Sequence, residues 1–288
     1  MPEMSSPTVW RRWLAFELTR LREEAGLTQK DVATALRCSD GKVSYYETAE
    51  RTVVVRDLDE VLLPLYNVPA ERWPLYLQAA KDSRQKGWWE RYDTTALPSW
   101  FSLYIGLEQG ATQLRSYAGL FIPGLLQTTD YADGTFRRAT AQHTEDEIEH
   151  RVELRLARQA ILDRDPDPLR LSVVLDEAAL RRAVNGPDVM KVQLLHLAAA
   201  AERPHVTIQV VPFTHGYYPG LTGSFQILGF APPTDPGVVY IEHRGGALYL
   251  EQALQIEEHV VAFEHICFRA LPPDDSVALI HAIAKEIP

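Results

Sequence analysis

With 288 residues, 46% of them hydrophobic and 24% charged, the chain is long enough for two domains whose cores need no staples. No apolar run reaches the roughly 18 residues of a membrane span, and "MPEMSSPTVWRRW" at the start shows no apolar stretch ahead of a cleavage site, which argues against membrane and secretory classes. The net charge of −10 falls wholly on residues 88–288: residues 1–87 hold 13 basic and 13 acidic side chains, the remainder 16 and 26, so an acidic body carries a neutral head.

Residues 10–25, "WRRWLAFELTRLREEA", place Trp10, Trp13, Leu14, Leu18, Leu21 and Ala25 at helical spacing. Gly26 follows where a C′ glycine ends a helix. Thr28 is set to cap a second helix, "QKDVATALR", with Asp31 in capping-box position, and Val32, Ala33 and Leu36 form its inward face. Ser39 stands before a third, "DGKVSYYETA", whose Val43 and Tyr46 point inward while Asp40, Gly41, Lys42, Ser44 and Tyr45 face out. A fourth helix is predicted over Val55–Tyr66, broken or kinked near Pro64. A fifth, "AERWPLYLQAAKDSRQ", comes after Pro69.

The segment 86–117 is rich in aromatic residues and does not read as a flexible linker; within it, residues 100–117 are predicted helical. A Pro123–Gly124 turn leads to another helix, and "TEDEIEHRVELRLARQAILDR" is amphipathic, with Ile148, Val152, Leu156 and Ile161 on one side. The period then changes. Segments 169–176, 205–213, 223–230, 237–243 and 247–251 are strand-like. Helices at 177–184 and 187–202 separate the first two, which suits a parallel crossover. "HRGGAL" reads as a hairpin turn, and two helices close the chain. The expected fold is multidomain: an all-α head over residues 1–84, then an α+β domain over 85–288 with a mixed sheet of about five strands flanked by helices.

Two short helices around a tight polar turn, packed on a first helix, make a helix-turn-helix pattern, which presents the start of its second helix to the major groove. The bland alternative is a pair of core helices in a helical domain. The stretch resembles the lambda-repressor/Cro type, or XRE family: "LTQKDVATAL" is similar to that family's second helix, and "KVSYYETAERT" to its third helix with the short Glu-Thr-Gly-Arg stretch after it. The resemblance implies phosphate contacts from Gln29 and Ser39, base-edge candidates at Asp40, Lys42, Ser44 and Tyr45, a DNA-contacting Arg51 and an internal role for Glu47. Arg37 and Ala49 stand where the family prefers glycine, and Tyr45 replaces a common arginine. Asp40 is acidic near the groove, where it can accept from cytosine or repel phosphate.

Further matches run in order through "IPGLLQTTDYA", "RVELRLARQAILDR", "VVLDEAALRRAVNGPDVMKVQLLHLA" and "VTIQVVPFTHGYYPGLTGSFQIL". The chain thus resembles the actinobacterial WhiJ-like, antitoxin-like regulators over almost its whole length. That group's plan is an XRE domain followed by a domain of unknown function. It implies transcription regulation through DNA binding and a small acidic partner protein.

Other constellations are weaker. His259 and His265 lie six apart, which is not zinc spacing on a helix, and there is no C-x-x-C, so no metal or cofactor is expected. Asp176–Glu177 reads first as a helix cap and second as an acid–base pair. Arg151, Arg155 and Arg158 form a stripe that reads first as a solvated face salt-bridged to Glu147, Glu149 and Glu153, and second as an anion site. Trp88, Trp89, Trp100, Tyr104, Tyr217 and Tyr218 are candidates to line an effector pocket, with domain glue as the competing role. Cys38 and Cys267, in no ligand spacing, fit a reducing, cytoplasmic setting. The expectation is therefore a dimeric, non-enzymatic regulator of double-stranded DNA, with a C-terminal domain for a small effector or the acidic partner. The alternative is an antitoxin-like interaction module with only autoregulatory DNA binding.

Overall fold

The computed structural model describes residues 6–92, 98–139, 144–231 and 234–288; residues 1–5 of the sequence start and 93–97 of the aromatic segment lie outside these. The chain divides into two compact units, Met1–Glu90 with Ala231–Asp235 and Arg91–Phe230 with Pro236–Pro288.

The first unit is helical. α1 (Pro7–Glu24) begins with proline at a position where the missing N–H has no helical partner to lose. It stops as its sequence predicts: Gly26 takes φ +70°, its N–H bonds the Glu23 carbonyl at 2.9 Å, and the Leu27 N–H bonds that of Arg22 at 3.1 Å. α2 (Gln29–Leu36) and α3 (Asp40–Glu47) come next. The helix predicted over Val55–Tyr66 forms in three pieces: α4 (Val55–Asp57), a π-helical turn Leu58–Leu62, and α5 (Leu63–Leu65). The Leu63 N–H reaches back to Leu58, and Pro64 has no N–H to offer the preceding turn, so the helix widens just before it. α6 (Trp73–Asp82) completes the unit.

The core joins Trp13, Leu14 and Leu18 of α1 to Val32, Val43, Tyr46, Leu58, Leu62 and Tyr76. Trp13 stacks on Tyr76 with ring centroids 5.2 Å apart. Truncating either ring to alanine removes about 3–5 kcal/mol. Glu17, fully buried beneath them, accepts from the Tyr76 hydroxyl at 2.7 Å and from Arg20 at 2.9 Å. Burial pushes its carboxyl up, but hydrogen bonds from Arg20, Tyr76 and Thr234 outweigh that and hold it below the ordinary glutamate range. Asp235, in the same unit, takes Arg12 at 2.6 Å.

The second unit opens with α7 (Ser99–Gly110) and β1 (Gln113–Ala118). α8 (Thr129–Ala139) and α9 (Glu145–Gln159) come next, the latter started by a Thr144–Glu147 capping box. Then follow β2 (Arg170–Asp176), α10 (Glu177–Arg181), α11 (Pro187–Ala200) and β3 (Val206–Val211). β4 (Phe225–Gly229), β5 (Val238–His243), β6 (Gly246–Leu250), α12 (Ala253–Arg269) and α13 (Pro273–Glu286) complete it.

The sheet has six strands in the order β3-β2-β1-β4-β5-β6. β1, β2 and β3 run parallel, joined by helical crossovers, whereas β4, β5 and β6 are antiparallel to their neighbours. This corrects the helix predicted over 100–117 and adds β1 as the sixth strand of a mixed sheet expected to have about five. Helix α7 stops at Gly110, and Gln113–Ala118 becomes a central strand, paired through Leu114 to Leu171 on one side and Leu228 on the other. The architecture is a helical head followed by an α/β domain with a mixed six-stranded sheet.

Candidate nucleic-acid interface

The geometry of α2 and α3 starts from their caps. Thr28 Oγ1 accepts the Asp31 N–H at 3.2 Å, and Asp31 Oδ2 accepts the Thr28 N–H at 2.9 Å, so the predicted capping box is formed. The Thr28 hydroxyl also donates to Asp31 Oδ2 at 2.7 Å, and this bond first, with that of the Thr28 N–H second, holds the Asp31 carboxyl below its usual range. Ser39 occupies the N-cap of α3, but its hydroxyl makes no cap bond and stays exposed.

Between the helices the chain must turn within three residues, and it does so through Arg37 at φ 52°. After α3 it turns again through Ala49 at φ 58°. These are the two positions where the resembled family prefers glycine, and the left-handed backbone explains that preference. A side chain there costs roughly 1–2 kcal/mol of steric strain.

Glu47 locks the two helices to α1. Its Oε1 accepts from Arg22 Nε at 2.7 Å, and its Oε2 accepts from Arg22 Nη2 at 3.1 Å and from the Gln29 amide at 2.8 Å. The internal role expected of Glu47 follows from this geometry, and the hydrogen bond to it raises the Arg22 guanidinium above its ordinary value. Gln29 is therefore anchored at the start of α2, one of its amide hydrogens committed to Glu47.

Val43 and Tyr46 are buried, as α3 periodicity predicts. Asp40, Gly41 and Tyr45 are exposed and Ser44 is half-buried. Gly41 has open space about it, with only Ser39 Oγ near where a Cβ would sit. The Arg51 guanidinium lies 4.7 Å from the centre of the Tyr45 ring, which pairs two of the predicted contact residues at the C-terminal end of α3. Lys42 departs from the prediction. Its ammonium folds back to Asp57 Oδ2 at 2.5 Å, beside the Tyr46 hydroxyl that donates to the same oxygen at 2.8 Å. That bond lifts the Lys42 ammonium above its ordinary value despite partial burial. The charge joins α3 to α4 and does not point outward. Lys30 and Arg37, exposed and without a carboxylate partner among the described residues, supply positive charge that the sequence pattern did not single out. Arg37 was legible only as a non-glycine at a tight turn.

Of the six aromatic residues proposed for a pocket, two belong to the first unit and four to the second, and those four do not form one cluster. Trp88 and Trp89 meet edge to face at 6.0 Å in the first unit. In the second, Trp100 meets Phe101, while Tyr104 is buried between Phe101 and Tyr240. Tyr218 is buried elsewhere, its hydroxyl donating to Asp176 at 2.5 Å, and Tyr217 is exposed. A cavity of about 230 Å³ does open in this unit, lined by Leu125, Leu126, Gln159, Leu162, His196 and Arg203 among others, with none of the six aromatics. Asp176 caps α10, its Oδ1 accepting the Ala178 N–H at 2.8 Å, and Glu177 holds Arg181 and the Phe213 N–H. Both carboxylates are committed to structure.

The arginine stripe of α9 is a further correction. Arg155 and Arg158 turn inward, and their partners are not the glutamates of their own helix, whereas Arg151 stays half-exposed with Glu147 as its charged neighbour. Arg158 forks onto Glu108 at 2.7 and 2.8 Å. Arg155 donates to Gln127 at 2.6 Å and Thr135 at 3.3 Å, and lies 4.2 Å over the Phe136 ring. Nothing in the sequence near α9 marks Glu108 or Gln127 as partners.

Comparison with known families supplies what geometry alone does not. A helix-turn-helix domain family matches residues 13–73, which include α2 and α3. A domain of unknown function, DUF5753, matches residues 101–282. No curated protein and no solved structure matches the chain. Since the second match spans more than half of the 288 residues, the chain belongs to the DUF5753 family, with a helix-turn-helix domain that suggests a DNA-binding regulator ahead of it.

Proposed function

We propose that this protein is a cytoplasmic, dimeric transcriptional regulator of the XRE, WhiJ-like group, without catalytic activity, whose C-terminal domain senses a small ligand or a small acidic partner protein. The observation that carries the reading is the two-sidedness of α3. Val43 and Tyr46 enter the core and Glu47 is clamped by Arg22 and Gln29, while Asp40, Gly41, Ser44 and Tyr45 are left toward solvent. A helix fixed on one side and polar on the other suits the major groove. One such helix reads few base pairs, so two copies on a pseudo-palindrome, about 34 Å apart, supply the specificity. The acidic body stays away from phosphate.

One observation favours the second reading, an antitoxin-like interaction module with only autoregulatory DNA binding. The first turn of α3 presents Asp40, and the nearby Lys42 is neutralised by Asp57.

The test is selection of bound sequences from a random duplex pool by the full chain, then anisotropy titration at fixed salt. Tyr45→Ala is expected to lose about 1–3 kcal/mol and to relax preference at one or two base pairs. Gln29→Ala should weaken all sequences alike, because a phosphate contact positions without specifying. Enrichment of no sequence would overturn the regulator reading in favour of the interaction module.

A further inference from the structure

Arg151, Arg155 and Arg158 sit about one turn apart along α9, and of the three only Arg158 meets a buried carboxylate. Glu108, fully buried, is taken up by Arg158 in a two-pronged pair and also accepts from the Tyr104 hydroxyl at 2.7 Å. Among the described residues no carboxylate lies within ion-pair distance of Arg151 or Arg155. The neighbours of Arg155 are neutral: Gln127 Oε1, Thr135 Oγ1 and the face of Phe136. Gln127 is fixed in that role, because its own amide donates to the Ile122 carbonyl at 2.7 Å. Arg151 lies 6.0 Å from the same Phe136 ring. The Nε atoms of both arginines are buried and have no hydrogen-bond partner.

A desolvated cation without a counter-ion is an unfavourable arrangement unless an anion completes it. Burial first, and the like charge of Arg158 second, push the Arg155 guanidinium down to about 9; Glu242 and Glu108 act at longer range in the opposite sense. Burial lowers Arg151 as well, with Glu147 opposing. Guanidinium groups remain protonated under such pressure, so the imbalance is expressed as a demand for negative charge. Two planar guanidinium groups beside one ring match the oxygens of a carboxylate or phosphate and the apolar body that carries it.

We propose that Arg151 and Arg155, with the Phe136 ring beside them and Gln127 bonded to Arg155, form an oxyanion subsite that takes the carboxylate or phosphate group of a small-molecule effector. This deepens the sensing role given to the C-terminal domain and rests on that reading only for its regulatory consequence. The binding itself is independent of DNA.

The experiment is isothermal titration of the full chain, in chloride buffer at constant ionic strength, with two probes: inorganic phosphate and benzoate. Saturable binding of at least one is expected with a dissociation constant on the order of 10 mM or tighter. Phosphate alone binding would assign a phosphate-bearing effector; benzoate alone, a carboxylate with an apolar body. Arg155→Met should weaken the bound probe roughly tenfold or more, and Arg155→Lys less so. Arg151→Met, at a less enclosed cation, is the second variant should Arg155→Met lose its circular dichroism spectrum. Absence of saturable binding for both probes, or unchanged binding in folded Arg155→Met or Arg151→Met, overturns the proposal. A chain that binds a specific duplex but neither probe would sink this subsite and leave the regulator reading intact, and the reverse result would do the opposite.

Discussion

In the helix-turn-helix unit, Glu47 takes Arg22 and Gln29, Asp57 takes Lys42, and Glu17 takes Arg20. In the sheet domain, Glu108 takes Arg158 and leaves Arg155, one turn away, resting on amide, hydroxyl and ring. The contrast runs against bulk composition. The neutral head matches most of its inward cations with carboxylates, Arg11 resting instead on the Ser83 carbonyl, while the domain that carries all of the −10 leaves the enclosed Arg155 without one. Net charge describes a surface and its long-range field; it says little about what a particular interior lacks. In the head, paired charges act as clasps between helices. In the sheet domain, Arg155 has neutral partners and no carboxylate to clasp.

Removing an acidic partner from each unit should separate these roles. Glu108→Gln leaves Arg158 buried and unpaired, and is expected to lower stability by about 3–5 kcal/mol, read from the urea unfolding transition of the full chain. A cost under about 1 kcal/mol would mean that the Arg158 charge is satisfied by its rings and the comparison fails. The effect of Glu17 is smaller and depends on pH. Its folded carboxyl titrates below the unfolded value of about 4.3, so its stabilisation is fully present above that pH and is lost as pH falls through the lower folded value. Acid titration of the urea midpoint should show this loss, and Glu17→Gln should flatten it; an identical curve for the variant would remove Glu17 from the account. The smallest expected change is a gain. Ala49→Gly relieves the left-handed backbone at φ 58°, with a rise of about 1 kcal/mol in the thermal stability of the head and no change in DNA affinity. A loss of stability would show that the alanine methyl packs usefully there.

Local signals made the head legible. Thr28 and Asp31 stand at capping-box spacing, Gly26 ends α1, and Val43 and Tyr46 share an inward face, each feature lying within a few residues of its cause. The fold-back of Lys42 was not legible, since Asp57 comes close only once α4 has packed beside α3. β1 was missed for a different reason. It is largely buried on both faces, so it lacks the alternation of a half-exposed strand and reads as a continuation of the apolar helix before it. Gly110 was the available stop signal. The inward turn of the α9 arginines was hidden because their partners Glu108 and Gln127 come from elements far back in the chain, while the nearby glutamates offered a plausible but unused solution.

The central position of β1 has a consequence for how the chain is made. Its parallel neighbour β2 and its antiparallel neighbour β4 lie far downstream, Gln113 pairing with Arg170 on one side and Gly229 on the other. A nascent chain leaving the ribosome therefore holds β1 with an open hydrogen-bonding edge until residues 225–229 have emerged. Such an edge is a template for wrong pairing, and contacts this distant in sequence form slowly. The head needs no comparable wait for its helix-turn-helix, whose contacts are short in sequence. Any fragment cut between β3 and β4 strands the middle of the sheet, so a soluble piece of the sheet domain has to run on through β4.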